Sequence, residues 1–190
     1  MKWLLFLFIL SSFSCAQHAI RSPASGERHI VFDVDWTIVS EIKNPTARDL
    51  KNKRVLEVEG IHYFISDGLE NFIQDIRSYK EMKISFFSGG KKSRNTKLLS
   101  MIKLPDGKSL LDIAYKVLNN EDLVPVADAP PEARFSERFK KDLTKVSKVL
   151  DSLIMLDDTA GFVVDSSDNQ AKHVFFIGKA FLYFEMSSVR

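Results

Sequence analysis

The residues best equipped for chemistry in this chain stand just behind short apolar runs. Asp33 and Asp35 follow His29-Ile30-Val31-Phe32. Spaced by one residue on an extended chain, their carboxylates point roughly to one side. At a buried strand end they repel each other unless a cation sits between them. Magnesium is the natural cation, because it takes hard oxygen ligands and keeps several of its waters. A solvated acidic loop is the plain alternative.

Ser88, Gly89 and Gly90 end the run Lys83–Phe87 and precede a helical segment. A hydroxyl and small residues with open backbone N–H groups make a ready anion site, although a simple strand-to-helix turn needs the same small residues. Lys140 and Lys141 open an apolar stripe at 139, 143, 146, 149 and 150. A lysine there could neutralise phosphate oxygens as charge builds in transfer, or be one of a solvated pair. Asp157-Asp158 closes Leu153–Leu156 and offers a third carboxylate to a metal site otherwise short of protein ligands. Its plain alternative is a capping or turn pair. His29, His62 and His173 fall in apparent strands without ligand spacing to one another, so structural roles are expected of them.

These residues need elements that bring them to one place. His29–Phe32, Lys83–Phe87, Leu153–Leu156 and His173–Ile177 are short runs rich in apolar and β-branched residues, as in buried parallel strands. Val55–Ile65 around Gly60 predicts a hairpin. Helices are expected from Gly68, with Asp67 as N-cap, over Lys91–Met101, over Ser109–Leu118 and over Phe139–Leu150. Pro105-Asp106-Gly107 is a turn. Strands alternating with helices imply an α/β fold with a parallel sheet and right-handed crossovers. In such sheets ligands collect at the carboxyl ends of the strands, where Asp33, Asp35, Ser88, Asp157 and Asp158 all lie.

The order strand–Asp-x-Asp-x-Thr, strand–Ser, Lys, strand–Asp-Asp resembles the four motifs of the haloacid dehalogenase (HAD) superfamily. Within it, the chain is most similar to the NLI-interacting-factor-like phosphatases, which include phosphatases of the RNA polymerase II C-terminal domain. The likeness rests on Asp33–Thr37, the hairpin, Asp67–Ile73, Phe86–Gly90, Lys141-Asp142-Leu143 and Leu156–Ala160, and spans about residues 29–177. It implies a Rossmann-like three-layer α/β/α core with a small hairpin flap and no large cap domain. It also implies a magnesium-dependent phosphomonoesterase. Asp33 would be the nucleophile that becomes an aspartyl phosphate. Asp35 would be the acid and then the base. Ser88, Gly89 and Lys141 would hold phosphoryl oxygens, and Asp33, the Asp35 carbonyl and Asp157 or Asp158 would hold the metal. Three departures stand out: Ser88 replaces the usual Thr, Asp158 the usual Asn, and Trp36 a smaller or acidic residue. An open site would suit a phosphorylated small molecule or a phosphoprotein. A non-catalytic relative that binds a phosphorylated partner is the rival reading, and the intact Asp33 and Asp35 favour catalysis.

Composition sets outer limits. The 190 residues allow one compact domain, 45% hydrophobic and with 15 Phe for a bulky core. A formal charge of +2, from 27 Lys+Arg against 25 Asp+Glu, gives no footing for nucleic acid. Residues 1–16 read as a signal peptide: Lys2, the apolar run Trp3–Leu10, then small residues up to Ala16. The run is well short of the ~20 apolar residues that span a bilayer, so no membrane span is expected. Cleavage after Ala16 would free Gln17; the alternative is a lipid anchor on Cys15, the sole cysteine. Either way the protein is expected to be exported, periplasmic or secreted. Residues 17–28 read as a linker and 29–190 as the phosphatase domain.

Overall fold

The computed structural model describes residues 26–159, 161–164 and 169–177. The proposed signal peptide, most of the linker and the last residues of the chain lie outside them. Along the chain come β1 (Arg28–Phe32), β2 (Val39–Ile42), β3 (Val55–Val58), β4 (Ile61–Ile65) and α1 (Leu69–Arg77). Next are β5 (Met82–Phe87), α2 (Lys92–Met101), β6 (Lys116–Leu118), β7 (Val124–Pro125), α3 (Phe135–Arg138), β8 (Phe139–Lys140), β9 (Leu153–Asp157) and β10 (Val174–Phe176).

The main sheet has the order β10-β9-β1-β5-β6, and each pairing within it is parallel. Its centre is β1, whose run of β-branched and aromatic residues is buried on both faces, as parallel strands require. Successive side chains go to opposite faces. Phe32, Ile84 and Phe86 share one core with Leu69 and Ile73 of α1 and Leu98 and Leu99 of α2. Val31, Phe87, Leu153 and Met155 share the other with Leu143, Val146 and Phe162. Helices cover the first face. The second is covered by 3-10 turns, such as Leu143–Lys145, and by irregular chain. The expected hairpin is there, closed by Glu59 and Gly60 in left-handed conformations, and β2 joins it as a third strand. This small sheet buries Val39, Val58, Tyr63 and Ile65 against the α1 side of the core.

Several local expectations are corrected. Ser109–Leu118 is not a helix: Ser109 and Asp112 exchange side-chain–backbone hydrogen bonds in a turn, and Lys116–Leu118 becomes edge strand β6 on β5. Phe139–Leu150 is not a helix either. Phe139 and Lys140 pair with Val124 and Pro125, and Lys141 is held extended between Phe162 and Val164 by backbone bonds of 2.9 Å each. Of its apolar stripe, Leu143 and Val146 are buried around one 3-10 turn, Leu150 opens a second, and Val149 is left exposed. Asp67 does not cap α1. Gly68 takes that place with φ +73°, and Asp67 pairs with Arg54 at 3.0 Å instead. His173 lies in the 3-10 turn before β10 rather than in the strand. Among the described residues no helix is long and apolar enough to cross a membrane.

Candidate active site

Parallel pairing lines up the carboxyl ends of β1, β5 and β9, and the residues singled out in the sequence meet there. Asp33 follows β1, and its N–H donates to Leu156 O at 2.9 Å, which ties it to the end of β9. Ser88 follows β5, and Asp157 is the last residue of β9. Lys141 arrives from the opposite side on its extended segment. Its side chain is fully buried, and Nζ donates to Asp33 Oδ1 at 2.6 Å and to Asp157 Oδ2 at 2.8 Å. A helix through 139–150 would not hold Lys141 in this extended, bridged backbone. The nearby loop residue Phe162 lies under the same ammonium, 4.6 Å from its ring centroid.

Asp33, Asp157 and Asp158 form one acidic group, with a carboxylate oxygen from each within 4.8 Å of the others. Three carboxylates against one lysine leave an excess of negative charge in a buried place. Burial, followed by Asp157 and Asp35 and against the pull of Lys141, pushes the Asp33 carboxyl up to about 8. Burial and then Asp157 also raise Asp158. Burial opposes the charge of Lys141, but Asp33 and Asp157 outweigh it and hold the ammonium above its usual range. An uncompensated cluster of hard oxygen donors is what a divalent cation such as magnesium fits. Asp157 Oδ1 also accepts from Thr159 N–H at 2.7 Å, so Asp157 is held from both sides. Asp158 is only half-buried and lines the cavity.

Asp35 points elsewhere. Its carboxylate accepts from Ser88 Oγ at 3.0 Å and from Arg94 Nη2 at 2.6 and 2.8 Å. The Asp35 side chain is therefore outside the acidic group, and the metal contact implied for that residue rests on its carbonyl alone. Ser88 is buried, and besides donating to Asp35 it accepts from Gly90 N–H at 2.9 Å. The Gly90 amide is thus engaged within the loop, while Gly89 lines the cavity. Lys140 takes no part in this cluster: its Nζ reaches Gly161 O at 2.5 Å.

Arg94 is the functional residue that sequence reasoning missed. It sits in the first turn of α2, half-buried with its guanidinium 5.5 Å from the Tyr63 ring centroid, and pairs with Asp35. Its signal in the sequence was faint, a lone arginine among basic residues at 91, 92 and 97. Only the packing of α2 separates it from its neighbours.

All of this borders a cavity of about 480 Å³, lined by Asp33, Asp35, Gly89, Arg94 and Asp158 and walled by aromatic rings. Trp36 stands at the wall with φ +61°, in a tight turn in which Ile38 and Val39 N–H both return to Val34 O at 3.0 Å. That backbone region is uncommon for residues with a Cβ and an outlier for bulky ones.

The family model for NLI interacting factor-like phosphatases matches residues 28–180. Among solved structures, the fold is similar to one described as Fcp1, an essential RNA polymerase II CTD phosphatase. The TM-score is 0.53 and the identity 15%, over 80% of this chain and 41% of that one. A second, fission yeast RNA polymerase II CTD phosphatase Fcp1-R271A bound to beryllium fluoride, matches with TM-score 0.48 and 16% identity, over 86% of this chain and 50% of that one. The chain thus spans about half or less of the solved proteins it resembles. No curated protein matches it. With the family's motifs in order along β1, β5, Lys141 and β9, the chain belongs to the NLI interacting factor-like phosphatases, within the haloacid dehalogenase superfamily.

Proposed function

We propose that this phosphatase is an exported, magnesium-dependent phosphomonoesterase that works through an aspartyl phosphate on Asp33. The observation that carries the reading is the convergence of Asp33, Lys141, Asp157 and Asp158 at the end of the parallel sheet, beside a separately held Asp35. Export rests on residues 1–16, as does the alternative of a lipid on Cys15.

Asp33, Asp157 and Asp158 would hold magnesium, which when bound supplies positive charge against both the carboxylates and the phosphoryl oxygens. Lys141, fixed between Asp33 and Asp157, adds a second positive charge beside the nucleophile. An Asp33 carboxylate oxygen attacks phosphorus, and the bond from phosphorus to the ester oxygen breaks. Asp35, an ion-paired carboxylate at rest, takes up a proton through its solvent-exposed side, gives it to that leaving oxygen, and then takes one from the water that attacks the acyl phosphate and frees inorganic phosphate. Ser88 and Arg94 orient Asp35 for both steps. The two aspartates differ in surroundings as these roles demand: Asp33 is sealed against Lys141, while the Asp35 side chain is 38% exposed and open to solvent.

The test is hydrolysis of p-nitrophenyl phosphate by the full chain, with magnesium and with EDTA, beside Asp33→Asn. Turnover that needs both the metal and Asp33 is the expected result. No turnover by folded wild-type protein would replace catalysis with binding of a phosphorylated ligand.

A further inference from the structure

The phosphoryl group is charged and hydrated, and nothing in its transfer calls for aromatic walls. Yet Trp36, Phe135 and Phe162 line the same cavity as Asp33 and Asp35. Packing accounts for Phe162, which is buried, lies edge-on to Phe135 with centroids 6.0 Å apart, and carries the Lys141 ammonium over its face. Phe135 packs on Phe162 and Phe139 along one side only, and the other face of the wall stays open. Trp36 is 40% exposed and Phe135 42% exposed, one in the turn after β1 and the other on α3.

Local structure fixes where each of these two rings sits. Trp36 occupies a left-handed backbone position, φ +61°, that disfavours a bulky side chain. Phe135 lies so close over Gly89 that a Cβ there would meet its Cε1 at 2.8 Å and push the ring aside. The short helix that bears Phe135 is stapled by Arg134, whose guanidinium pairs with Glu137 at 2.5 Å, and its ring stacks on Phe139 at 5.0 Å. Strain at a functional site is a pointer to function when it aims a side chain into that site. Here a strained backbone at Trp36 and a close seat over Gly89 put two aromatic rings in the wall beside Asp33 and Asp35. A planar apolar group on the ligand is what such faces bind, by stacking and by exclusion of water.

Resting on the phosphatase reading above, we propose that the site selects phosphomonoesters with an aryl leaving group, and that Trp36 and Phe135 contact its ring. The bond from phosphorus to the phenolic oxygen breaks as Asp33 takes the phosphoryl group, and Asp35 protonates the departing phenolate oxygen to give the phenol. A cavity of about 480 Å³ has room for phosphate and one ring.

The experiment compares the full chain with Trp36→Gly and Phe135→Ala, with magnesium, on phenyl phosphate, a phosphotyrosine peptide and glycerol 2-phosphate. Glycine adopts the left-handed position freely, so Trp36→Gly should fold. A phenol leaves more easily than an alcohol, so the readout is the change on substitution and not the wild-type preference. Each variant is expected to lose about tenfold in kcat/KM on the aryl esters and less than about threefold on glycerol 2-phosphate. Equal losses on both classes, or none, would overturn the assignment. A peptide favoured over phenyl phosphate names a phosphoprotein as the source of the ring; no gain names a small aryl ester. If wild-type protein cleaves no ester, the phosphatase reading fails separately, and binding decides the rings. In a Trp3→Phe background Trp36 is the sole tryptophan. Quenching of its fluorescence by phenyl phosphate, but not by inorganic phosphate, would support the aromatic site, and its absence would refute it.

Discussion

Replacing Asp33 by Asn should remove activity and yet stabilise the metal-free protein. Asp33 is 4% exposed, shares Lys141 with Asp157, and titrates near 8 in the fold against 3.8 in the unfolded chain. Because the folded chain holds this proton more tightly, the cost of the carboxyl is absent below pH 3.8 and grows until about pH 8. At ~1.4 kcal/mol for each pH unit in that window, it reaches about 4 kcal/mol at pH 7 and about 2 kcal/mol at pH 5. Asn is nearly isosteric, so no cavity forms. It does weaken the charge-assisted hydrogen bond from Lys141, a loss of roughly 1.5–3 kcal/mol, since the lysine keeps Asp157. The net gain at pH 7 is about 1–3 kcal/mol, or roughly 3–10 °C in Tm for a domain of this size. Calorimetry in EDTA at pH 7 and pH 5, then with saturating magnesium, reads it out. The gain should shrink at pH 5, and magnesium should stabilise wild type more than Asp33→Asn. A variant no more stable than wild type at pH 7 in EDTA, or a gain unchanged at pH 5, would refute the picture of an uncompensated carboxylate cluster.

Three other outcomes are expected. Magnesium at ~100 times its Kd should stabilise the protein by about 2.7 kcal/mol, and Asp158→Asn at the same concentration should lose most of this. An undiminished gain in Tm would remove Asp158 from the ligand set. Arg94→Ala should cut kcat about 10–100-fold while KM moves less than about threefold, because in the proposed mechanism Arg94, bonded to Asp35, orients the acid–base residue and acid–base catalysis is worth ~10²–10⁴. Arg94→Lys should recover part of it in steady-state assays, and a loss confined to KM would place Arg94 on the substrate instead. Gly89→Ala should cost about 1 kcal/mol, the low end for overpacking, because the 2.8 Å contact displaces the half-exposed Phe135 ring. Urea unfolding of the double variant with Phe135→Ala should show most of that cost relieved, and simple additivity would contradict the contact.

Part of this protein could be read without coordinates. The runs 29–32, 83–87 and 153–156 are short, apolar and β-branched, and each ends on a polar residue able to do chemistry. That pattern marks buried parallel strands because both faces of such strands must be apolar, and the topology then puts their ends together. Hence Asp33, Ser88 and Asp157 could be placed at one edge, and the hairpin around Gly60 and the helices from Leu69 and Lys92 could be named.

Tertiary structure alone decided the rest, for reasons visible at particular residues. The apolar spacing of 139–150 suits a helix, but Lys141 must be extended to reach both Asp33 and Asp157, and long-range backbone bonds to Phe162 and Val164 outweigh local periodicity. Residues 116–118 are too few to show a period, and only the open edge of β5 makes them a strand. Asp67 has the right chemistry to cap a helix, but Arg54, in the turn before β3, claims it. Arg94 and Phe135 carry no local mark of function, since each gains its meaning from what lies across the cavity: Asp35 for the first, Gly89 for the second. Neighbours in sequence set the strands and their polar ends. Contacts between residues far apart in the chain set which charges and rings face the reacting atoms, and no local pattern encodes those.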